Sequence, residues 1–557
     1  MSTITCFKRE DINRKNPIFN SIRTTIETNF YGNNVISVNS ISEAYKLAKN
    51  SHGTIVTDMP VHRPEELGLC ADAKILLFND GATTGRFAGA RVIIGEENVN
   101  ESEYASIARE AVYQSRYKKL YHAQAVIGLH EDFMIRAHLL IPENHENIMY
   151  SWLLNFQYLT QEYMRMYKDS KNYPEGDLYV FSDPDYVPPS HPDGLALFDP
   201  NNNCAMLLGM RYFGEHKKGT LTLGWGLANR NGFASCHGGM KRYNFEDGTK
   251  YSIGVFGLSG SGKSTLTHDT HNGKYDITIL HDDAYIISID DGSSIALEPS
   301  YFDKTQDYPT SHPANKYLLT VQNCGVTLDE EGNKVIVTED IRNGNGRAVK
   351  SKLWAENRVN KIDEPVDSIA WLMKDATLPP VIKINNPVLA SVMGATLATK
   401  RTTAEKLAKN VDMNALVIEP YANPFRTYPL INDYEKFKEL FEERNVECYI
   451  LNTGHFLDKK IPKEVTLKIL EDIVTGKAEF KKLGNLTDIE YVEIEGFEPN
   501  MNSRSYQVMW KNSINYRKDF LINMETFKGG RDNLPMEALK ALEKLESEIA
   551  MVEKAAV

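Results

Sequence analysis

The feature that most constrains this chain is a glycine-rich segment near its middle, Gly257-Leu258-Ser259-Gly260-Ser261-Gly262-Lys263-Ser264-Thr265. It matches the spacing G-x-x-x-x-G-K-[ST] and lies between an apolar run at residues 251–256, typical of a strand, and a short helical pattern. The glycines permit a tight curl in which backbone amides point inward and hold phosphate oxygens. A glycine-rich turn without a ligand is the simpler interpretation, but the flanking strand and helix argue against it.

The loop pattern predicts particular roles for its side chains. Lys263 would place its ammonium group against the β and γ phosphates, and Ser264 would offer its hydroxyl to Mg²⁺. The residues predicted to bind the nucleotide here are Ser259, Gly260, Ser261, Gly262, Lys263, Ser264 and Thr265.

A pair of adjacent carboxylates follows the loop after an unusually short connection. The apolar run at residues 277–280 leads directly into His281-Asp282-Asp283, so the helix between the loop and these acids has room for only about two turns. Carboxylate oxygens at the end of a strand are typical anchors for Mg²⁺. An acidic surface turn is the alternative, but the position after a phosphate loop favours a metal site.

Composition excludes several classes of protein. Apolar residues make up 42% of the 557 residues and charged residues 25%, which is ordinary for a globular chain, and the net charge is −12. Such a balance does not favour binding to nucleic acid or to an anionic membrane. The six cysteines lack metal-ligand spacing, the N-terminus has no signal-peptide pattern, and no apolar stretch is long enough to span a membrane. We therefore expect a cytoplasmic, soluble protein with reduced thiols.

The order of local patterns predicts a mixed α/β fold. Short apolar runs at residues 206–212, 221–225, 251–256 and 276–280 indicate closely spaced strands, whereas residues 184–200, rich in proline and aspartate, indicate a long surface loop. Helical patterns dominate later, at residues 433–445, 463–475 and 535–554. A stretch rich in glycine and asparagine at residues 226–233 suggests two domains, 1–230 and 231–557, with the phosphate loop in the second.

These residues resemble those of ATP-dependent phosphoenolpyruvate carboxykinases. The resemblance begins with the loop and the Asp-Asp pair, and further segments occur in the same order as in that family. They are Thr84-Gly85-Arg86, Tyr212 to Gly219 (YFGEHKKG), Ala234-Ser235-Cys236-His237, Thr338-Glu339-Asp340-Ile341-Arg342, Leu378-Pro379-Pro380-Val381 and Leu451-Asn452-Thr453-Gly454. The resemblance implies a two-domain architecture like that of these carboxykinases.

The resemblance also implies a set of site residues. A transition metal, usually Mn²⁺, would be held by Lys218, His237 and Asp283, with Ser264 serving the Mg²⁺ that accompanies ATP. A lysine ligates a metal only when it is neutral, so the site must lower its pKa. The residues implied in catalysis are Arg86, Tyr212, Lys217, Lys218, Lys263, Asp282 and Arg342, and those near the adenine are Lys460, Ile461 and Thr466. Taken singly, Lys217-Lys218 would be a solvated basic pair and His237 a core histidine.

Several segments depart from the family pattern. Ala284-Tyr285-Ile286-Ile287 follows the Asp-Asp pair where the family has Glu-His-Gly-Trp, and Phe87-Ala88-Gly89-Ala90-Arg91 replaces Ser-Pro-Lys-Asp-Lys. Gly238-Gly239-Met240 follows His237 in place of Ser-Ala-Asn, and Lys460 stands where the family has an arginine. The mobile lid would fall at residues 394–410, which have a helical, basic pattern here. The sequence thus predicts conserved core chemistry with a remodelled lid and pocket rim.

The leading functional hypothesis is the reversible conversion of oxaloacetate and ATP to phosphoenolpyruvate, CO₂ and ADP, with Mn²⁺ and Mg²⁺. The absence of a cysteine from the loop favours ATP over GTP. One alternative is a P-loop kinase on the same scaffold that phosphorylates another small acid or a protein serine, and another is a nucleotide-binding regulator without turnover. The expected partners are these small molecules, with no nucleic acid and no membrane. The oligomeric state and the role of residues 1–70 stay open.

Overall fold

A computed structural model describes residues 3–81, 85–306, 308–339, 345–401 and 415–555. The chain divides into two compact units. The first contains Met1–Leu227 and Ala296–Glu356, and the second contains Ala228–Ile295 and most of the chain from Asn357 onward. Both units are discontinuous in sequence, whereas the division expected from the sequence placed a single boundary between residues 230 and 231.

The described residues contain both α-helices and β-strands throughout, with a long run of strands between α7 and α8. The twelve α-helices of the described residues are α1 Ser21–Asn29, α2 Ile41–Asn50, α3 Glu101–Ser115, α4 Glu146–Asn155, α5 Gln161–Asp169, α6 Phe213–Arg230, α7 Lys263–His268, α8 Pro387–Ala395, α9 Leu430–Glu443, α10 Lys463–Val474, α11 Arg504–Met524 and α12 Met536–Ala555. The first strands are β1 Val35–Ser37, β2 Ile55–Pro60, β3 Lys74–Phe78, β4 Arg91–Ile93, β5 Leu120–His130, β6 Phe133–Pro142, β7 Gln157–Tyr158, β8 Leu178–Asp183, β9 Leu195–Asp199 and β10 Cys204–Leu208.

The remaining strands follow α6. They are β11 Phe233–Asn244, β12 Lys250–Phe256, β13 Asp276–His281, β14 Ala284–Ser288, β15 Ser294–Ala296, β16 Tyr301–Lys304, β17 Leu318–Gln322, β18 Gly325–Leu328, β19 Lys334–Val337, β20 Arg347–Lys350, β21 Lys361–Ile362, β22 Ser368–Met373, β23 Val381–Ile384, β24 Ala398–Lys400, β25 Leu416–Ile418, β26 Glu447–Asn452, β27 His455–Phe456, β28 Lys459–Lys460, β29 Phe480–Lys482 and β30 Ile489–Val492. None of the helices in the described ranges is long and apolar enough to cross a membrane.

The first unit is built on two mixed sheets. One has the order β1-β5-β6-β8-β10-β9-β4, with β7 paired to β5, and the other has the order β16-β20-β17-β3-β2. In the first sheet β10 runs parallel to β8 and antiparallel to β9. Trp152 and Tyr150 of α4 are completely buried, and Trp152 donates from its indole to Thr220 Oγ1 of α6 over 3.0 Å. The buried rings and this bond fix α6, which carries several of the predicted site residues.

The second unit is built on one large mixed sheet. Its order is β21-β15-β14-β11-β12-β22-β26-β23-β30-β29, with β13 also paired to β11. The neighbours β12, β22 and β26 run parallel, so the segments that follow Phe256, Met373 and Asn452 emerge at one edge. The carboxyl edge of parallel strands is where α/β proteins usually bind ligands. This edge therefore positions the candidate site.

Helix α8 shows why these residues fold as they do. Asn386 caps the helix by accepting from Leu389 N over 2.9 Å, and Pro387 occupies the first turn, where its missing amide proton is not needed. The α8 carbonyl of Ala390 accepts from the buried Trp371 indole of β22 over 3.1 Å. Trp371 also packs edge-on against Phe437 of α9. Aromatic packing thus holds α8 and α9 against the central parallel strands.

Most elements predicted from the sequence are confirmed, including the mixed α/β class, the strands at 251–256 and 276–280, and the three late helices. The strand predicted at residues 221–225 was wrong, because these residues lie in α6. Leu221, Leu223 and Trp225 alternate as in a strand, but α6 is buried on almost every side, so its apolar residues show no helical stripe. The loop predicted at 184–200 was also wrong in part, since residues 195–199 form the buried strand β9.

Candidate active site

The glycine-rich segment forms a strand–loop–helix turn at the end of β12. Gly260 and Gly262 have φ angles of 77° and 100°, a left-handed region that other residues rarely adopt. A Cβ atom at Gly257 would overlap the side chain of Ser261, whose amide donates to Leu258 O over 3.0 Å. Helix α7 begins at Lys263, so all the residues predicted to bind the nucleotide phosphates, 259–265, lie in this loop and the first turn of α7.

Three predicted site residues of the second unit come together beside this loop. His237 of β11 places Nε2 3.2 Å from Lys263 Nζ and 3.1 Å from Asp283 Oδ1. Lys263 Nζ in turn lies 3.8 Å from Asp283 Oδ1. The three side chains come from a strand, a helix start and the turn after β13. The cluster combines one amine, one imidazole and one carboxylate within reach of the phosphate loop.

The backbone fixes which nitrogen of His237 faces the cluster. His237 Nδ1 donates to the carbonyl oxygen of Ala422, which leaves Nε2 directed toward Asp283 and Lys263. Histidines that bind metals are usually oriented in this way, with the other ring nitrogen donating to a carbonyl or carboxylate. Lys263 Nζ supplies positive charge beside both of these groups. An imidazole nitrogen and a carboxylate oxygen are also ligand types that divalent transition metals bind.

Histidine, cysteine and acidic side chains do not by themselves form a three-ligand metal site in the described ranges. No group of three or more histidine, cysteine, aspartate or glutamate side chains is placed to hold a metal within the described ranges. The third ligand implied by the sequence is Lys218, which belongs to the first unit. The set Lys218, His237 and Asp283 therefore stays a prediction, of which the second unit brings two members together.

Asp282 lies close to two other histidines. Its carboxylate lies 3.5 Å from His268 Nε2 and 3.9 Å from His281 Nδ1. Burial opposes the ionisation of Asp282, but His268 and His281 hold its pKa below the usual range. His281 Nδ1 also accepts from the amides of Asp283 and Ala284 over 3.1 Å each, which shapes the turn. The sequence analysis missed both histidines, although His281 directly precedes the Asp-Asp pair.

The departure at Gly238-Gly239 has a steric reason. A Cβ atom at Gly239 would overlap Thr267 Oγ1 of α7, and one at Gly238 would lie 2.6 Å from Val255 O of β12. Thr267 Oγ1 donates to Lys263 O over 2.8 Å. Strand β11 therefore approaches α7 and β12 more closely than any larger residue would allow, and this approach brings His237 next to Lys263.

The segment predicted to hold the adenine folds around Asn452. Its side-chain amide donates to the carbonyls of Asp375, Leu378 and His455 and accepts from Gly454 N over 3.0 Å. The predicted residues Ile461 and Thr466 are buried, and Lys460 is exposed at the end of β28. Their contact with a nucleotide stays a prediction.

Predicted residues of the first unit occupy contrasting environments. Arg86 and Tyr212 are buried, and burial raises the pKa of Tyr212 while Arg347 opposes this shift. Lys217 Nζ lies 2.9 Å from Glu298 Oε1, and both side chains are completely buried. Asn155 donates to the other oxygen of Glu298 over 2.5 Å. The environment of Lys217 is therefore that of an internal ion pair.

Lys218 differs from its neighbour, because it is partly exposed and its ammonium lies 5.5 Å from the ring centre of Trp225. Arg342 and Thr84 lie outside the described residues. A cavity of about 140 Å³ in the same unit is lined by Asp80, Gly85, Phe87, Met210, Tyr212 and Glu215, among others. Tyr212 and the two neighbours of Arg86 thus border one small cavity.

Together the fold and the site define a mixed α/β protein whose glycine-rich loop and lysine are of the kind that binds nucleotide phosphates. The family can be stated as well. The family model described as phosphoenolpyruvate carboxykinase matches residues 50–494, and this chain belongs to that family. The resemblance found in the sequence is confirmed.

Relatives of known name agree with the family. The chain is 26% identical over 305 residues to the phosphoenolpyruvate carboxykinase (ATP) of Aeropyrum pernix, covering 53% of this chain and 60% of that protein. It is 25% identical over 332 residues to the glycosomal phosphoenolpyruvate carboxykinase (ATP) of Trypanosoma brucei brucei, covering 54% and 66%. The corresponding Trypanosoma cruzi enzyme is 25% identical over 361 residues, covering 59% and 71%. The chain thus spans less than two thirds of the length of the first two relatives.

Proposed function

We propose that this protein converts oxaloacetate and ATP to phosphoenolpyruvate, CO₂ and ADP, in a reversible reaction. Family membership supports the reaction class. The observation that carries the proposal is the cluster of Lys263, His237 and Asp283 beside the glycine-rich loop. The cluster places a lysine suited to phosphate next to two side chains that can bind a divalent ion. Transfer of a phosphoryl group to an enolate requires both kinds of positive charge.

The loop and α7 would hold the nucleotide. Residues 259–262 would line the phosphate oxygens, although the Ser261 amide already donates to Leu258 O. Lys263 would neutralise charge on the β and γ phosphates. Ser264 and Asp282 would serve the Mg²⁺ that accompanies ATP, since a hydroxyl and an ionised carboxylate are oxygen ligands of the kind that Mg²⁺ prefers. Lys460, Ile461 and Thr466 would border the adenine. In this arrangement the chain contributes positioning and charge, which dominate catalysis of phosphoryl transfer.

Binding of Mn²⁺ is proposed at His237, Asp283 and Lys218. The Nε2 of His237 and the carboxylate of Asp283, 3.1 Å apart, are ligand types that suit such an ion. Lys218 would join them only in its neutral form, which the positive charge of the ion favours. When bound, the two ions supply positive charge to the carbonyl oxygen of oxaloacetate and to the phosphate oxygens.

The first unit would hold oxaloacetate. The forked guanidinium groups of Arg86 and Arg342 suit a carboxylate and the transferring phosphoryl group, and Tyr212 would lie against the substrate carboxylate or CO₂. The bond from the β-carbon to the departing carboxylate breaks, and its electron pair forms an enolate. The enolate oxygen then attacks the γ phosphorus in line, and ADP leaves. Lys217, held by Glu298, would keep positive charge fixed nearby.

A coupled assay tests the proposal. Purified protein is incubated with oxaloacetate, ATP, Mg²⁺ and Mn²⁺, and phosphoenolpyruvate is measured while each component is omitted in turn. We expect product only when ATP and oxaloacetate are both present, and the K263A variant serves as the inactive control. Phosphorylation of another acid or of a protein serine, without phosphoenolpyruvate, would favour the kinase alternative. ATP binding without turnover of any kind would favour the regulator.

We also propose small-molecule partners only, with a cytoplasmic location. The acidic net charge of −12 supports the expectation that nucleic acid is not a partner. The two trypanosomal relatives are named as glycosomal proteins. Fractionation of the source cells, followed by immunodetection, tests the location directly.

A further inference from the structure

A second lysine lies against the glycine-rich loop. Lys374 directly follows β22, the parallel neighbour of β12, and therefore emerges at the same edge of the sheet as the loop. Its Nζ donates to the carbonyl oxygen of Gly260 over 2.9 Å. The loop pattern in the sequence does not include this residue, and none of the roles considered so far uses it.

The backbone around Lys374 is fixed on both sides. Lys374 N donates to Ala398 O over 3.1 Å, and Thr453 N donates to Met373 O over 3.0 Å. A Cβ atom at Gly454 would lie 3.2 Å from Lys374 Cα, so a side chain there would crowd the lysine. The position of Lys374 is thus set by β24 and by the segment after β26, and only its side chain is left to respond to a ligand.

The charges near Lys374 favour an anion. Lys374 N donates to Ala398 O, two residues before Lys400. Burial and the neighbouring Lys400 both lower the pKa of Lys374. In the described part of the chain neither lysine forms an ion pair with a carboxylate. The adjacent carboxylate of Asp375 is already bound by Arg517 and Ser513. The hydroxyls of Thr399 and Thr453, which flank this position, are buried without a hydrogen-bond partner among the described residues.

We propose that Lys374 is a second phosphate-contacting lysine of the nucleotide site, which binds the polyphosphate chain together with Lys263. The inference rests on the proposed binding of ATP at the loop. Lys374 is partly exposed, so a phosphate oxygen in the loop can reach its ammonium group beside Gly260. Lys400 adds a second positive charge at the same edge. The ligand class is a nucleoside polyphosphate, and we expect the contribution of Lys374 to affinity to increase with the number of phosphates.

This inference is tested by substitutions that distinguish the positive charge of Lys374 from its hydrogen bond to the loop carbonyl of Gly260. K374Q removes the charge but keeps a donor for Gly260 O, whereas K374R keeps the charge. K383M is the matched control, because Lys383 lies on β23 in the same unit and pairs with Glu447. Affinities for Mg·ATP, Mg·ADP and AMP are measured by calorimetry at several salt concentrations. A charge-assisted hydrogen bond corresponds to about tenfold or more in affinity.

We expect K374Q to weaken ATP binding about tenfold or more, ADP less and AMP little, and to reduce the salt dependence of ATP binding. K374R and K383M should resemble the wild type. If K374Q binds ATP as tightly as wild type, the inference is overturned while the proposed function stands. Equal weakening of ATP and AMP by K374Q, with unchanged salt dependence, would also overturn it, since it would indicate loop support alone. Because binding is measured separately, failure of the wild type to form phosphoenolpyruvate would overturn the proposed reaction but not this contact.

Discussion

At the scale of the residue, the orientation of His237 is set by a contact that lies far from it in the sequence. The sequence identifies this histidine as a metal ligand only through resemblance, because a lone histidine is usually a core residue. The structure shows that Ala422, 185 residues away in sequence, binds Nδ1 and so directs Nε2 toward Asp283. A partner so distant in sequence leaves no local signal. The candidate residue could be predicted, but its orientation could not.

Replacing His237 tests the metal site. We expect H237A to weaken Mn²⁺ binding about tenfold or more in the nucleotide-free protein. Even the loss of a residue that only hydrogen-bonds to a metal ligand typically lowers metal affinity by about tenfold or more. Binding of ATP·Mg²⁺ should change little, since it depends on the loop. Electron paramagnetic resonance of free Mn²⁺ gives the affinity. The control is H312A, because His312 caps a short helical turn through Nδ1 and packs against Tyr308, and neither residue is a proposed metal ligand. Unchanged Mn²⁺ affinity in H237A would refute this site.

Arg86 distinguishes a carboxykinase from a general kinase. We expect R86Q to abolish formation of phosphoenolpyruvate, because the neutral amide cannot form two charge-assisted hydrogen bonds with a carboxylate. ATP should still bind, because the glycine-rich loop belongs to the other unit. The control is R109Q, since Arg109 lies on the exposed face of α3. Equal activity of R86Q and wild type would remove Arg86 from the site and leave the family assignment intact.

At the scale of the element, the site depends on how closely β11 approaches α7. The sequence predicts the β12–loop–α7 unit well, because apolar periodicity and the glycine spacing are both local signals. It predicts α6 poorly, because a helix buried on nearly all sides lacks a polar face. The close approach at Gly238-Gly239 is also unpredictable locally, since it depends on Thr267 of another element.

Adding a methyl group to β11 tests this approach. We expect G239A to destabilise the protein by about 1–3 kcal/mol, because the new Cβ atom would overlap Thr267 Oγ1. The double variant G239A/T267A should recover part of this loss, and thermal unfolding of wild type, both single variants and the double variant gives the coupling. Strictly additive effects would show that β11 and α7 do not constrain each other at this point.

At the scale of the whole molecule, the division into units could be predicted only in part. The sequence places a boundary close to Leu227, but nothing local signals that Ala296–Glu356 rejoins the first unit. Here β17 pairs in parallel with β3, a contact between segments far apart in sequence. Such pairings depend on the completed sheet. The family assignment does not depend on these pairings, because it rests on the match over residues 50–494.

Stability of the molecule should depend on pH through a buried acid. Burial raises the pKa of Asp433 from 3.8 to about 7, although Arg426 opposes this shift. Between these pH values the folded state keeps a proton on Asp433 that the unfolded state releases. The contribution of Asp433 to the free energy of unfolding is therefore complete below pH 3.8 and falls as the pH rises toward 7. The loss amounts to up to about 4 kcal/mol. We expect D433N to remove this dependence, as measured by urea unfolding at several pH values. An identical pH profile in both proteins would contradict the assignment.

The central claim is that one active site couples decarboxylation to phosphoryl transfer. The most direct measurement supplies oxaloacetate labelled with ¹⁴C in the departing carboxylate and ATP labelled with ³²P in the γ phosphate, and follows both labels in one reaction. The account predicts equal amounts of ¹⁴CO₂ and ³²P-labelled phosphoenolpyruvate, both absent in K263A. Transfer of ³²P to another acceptor, or release of ¹⁴CO₂ without labelled phosphoenolpyruvate, would contradict it.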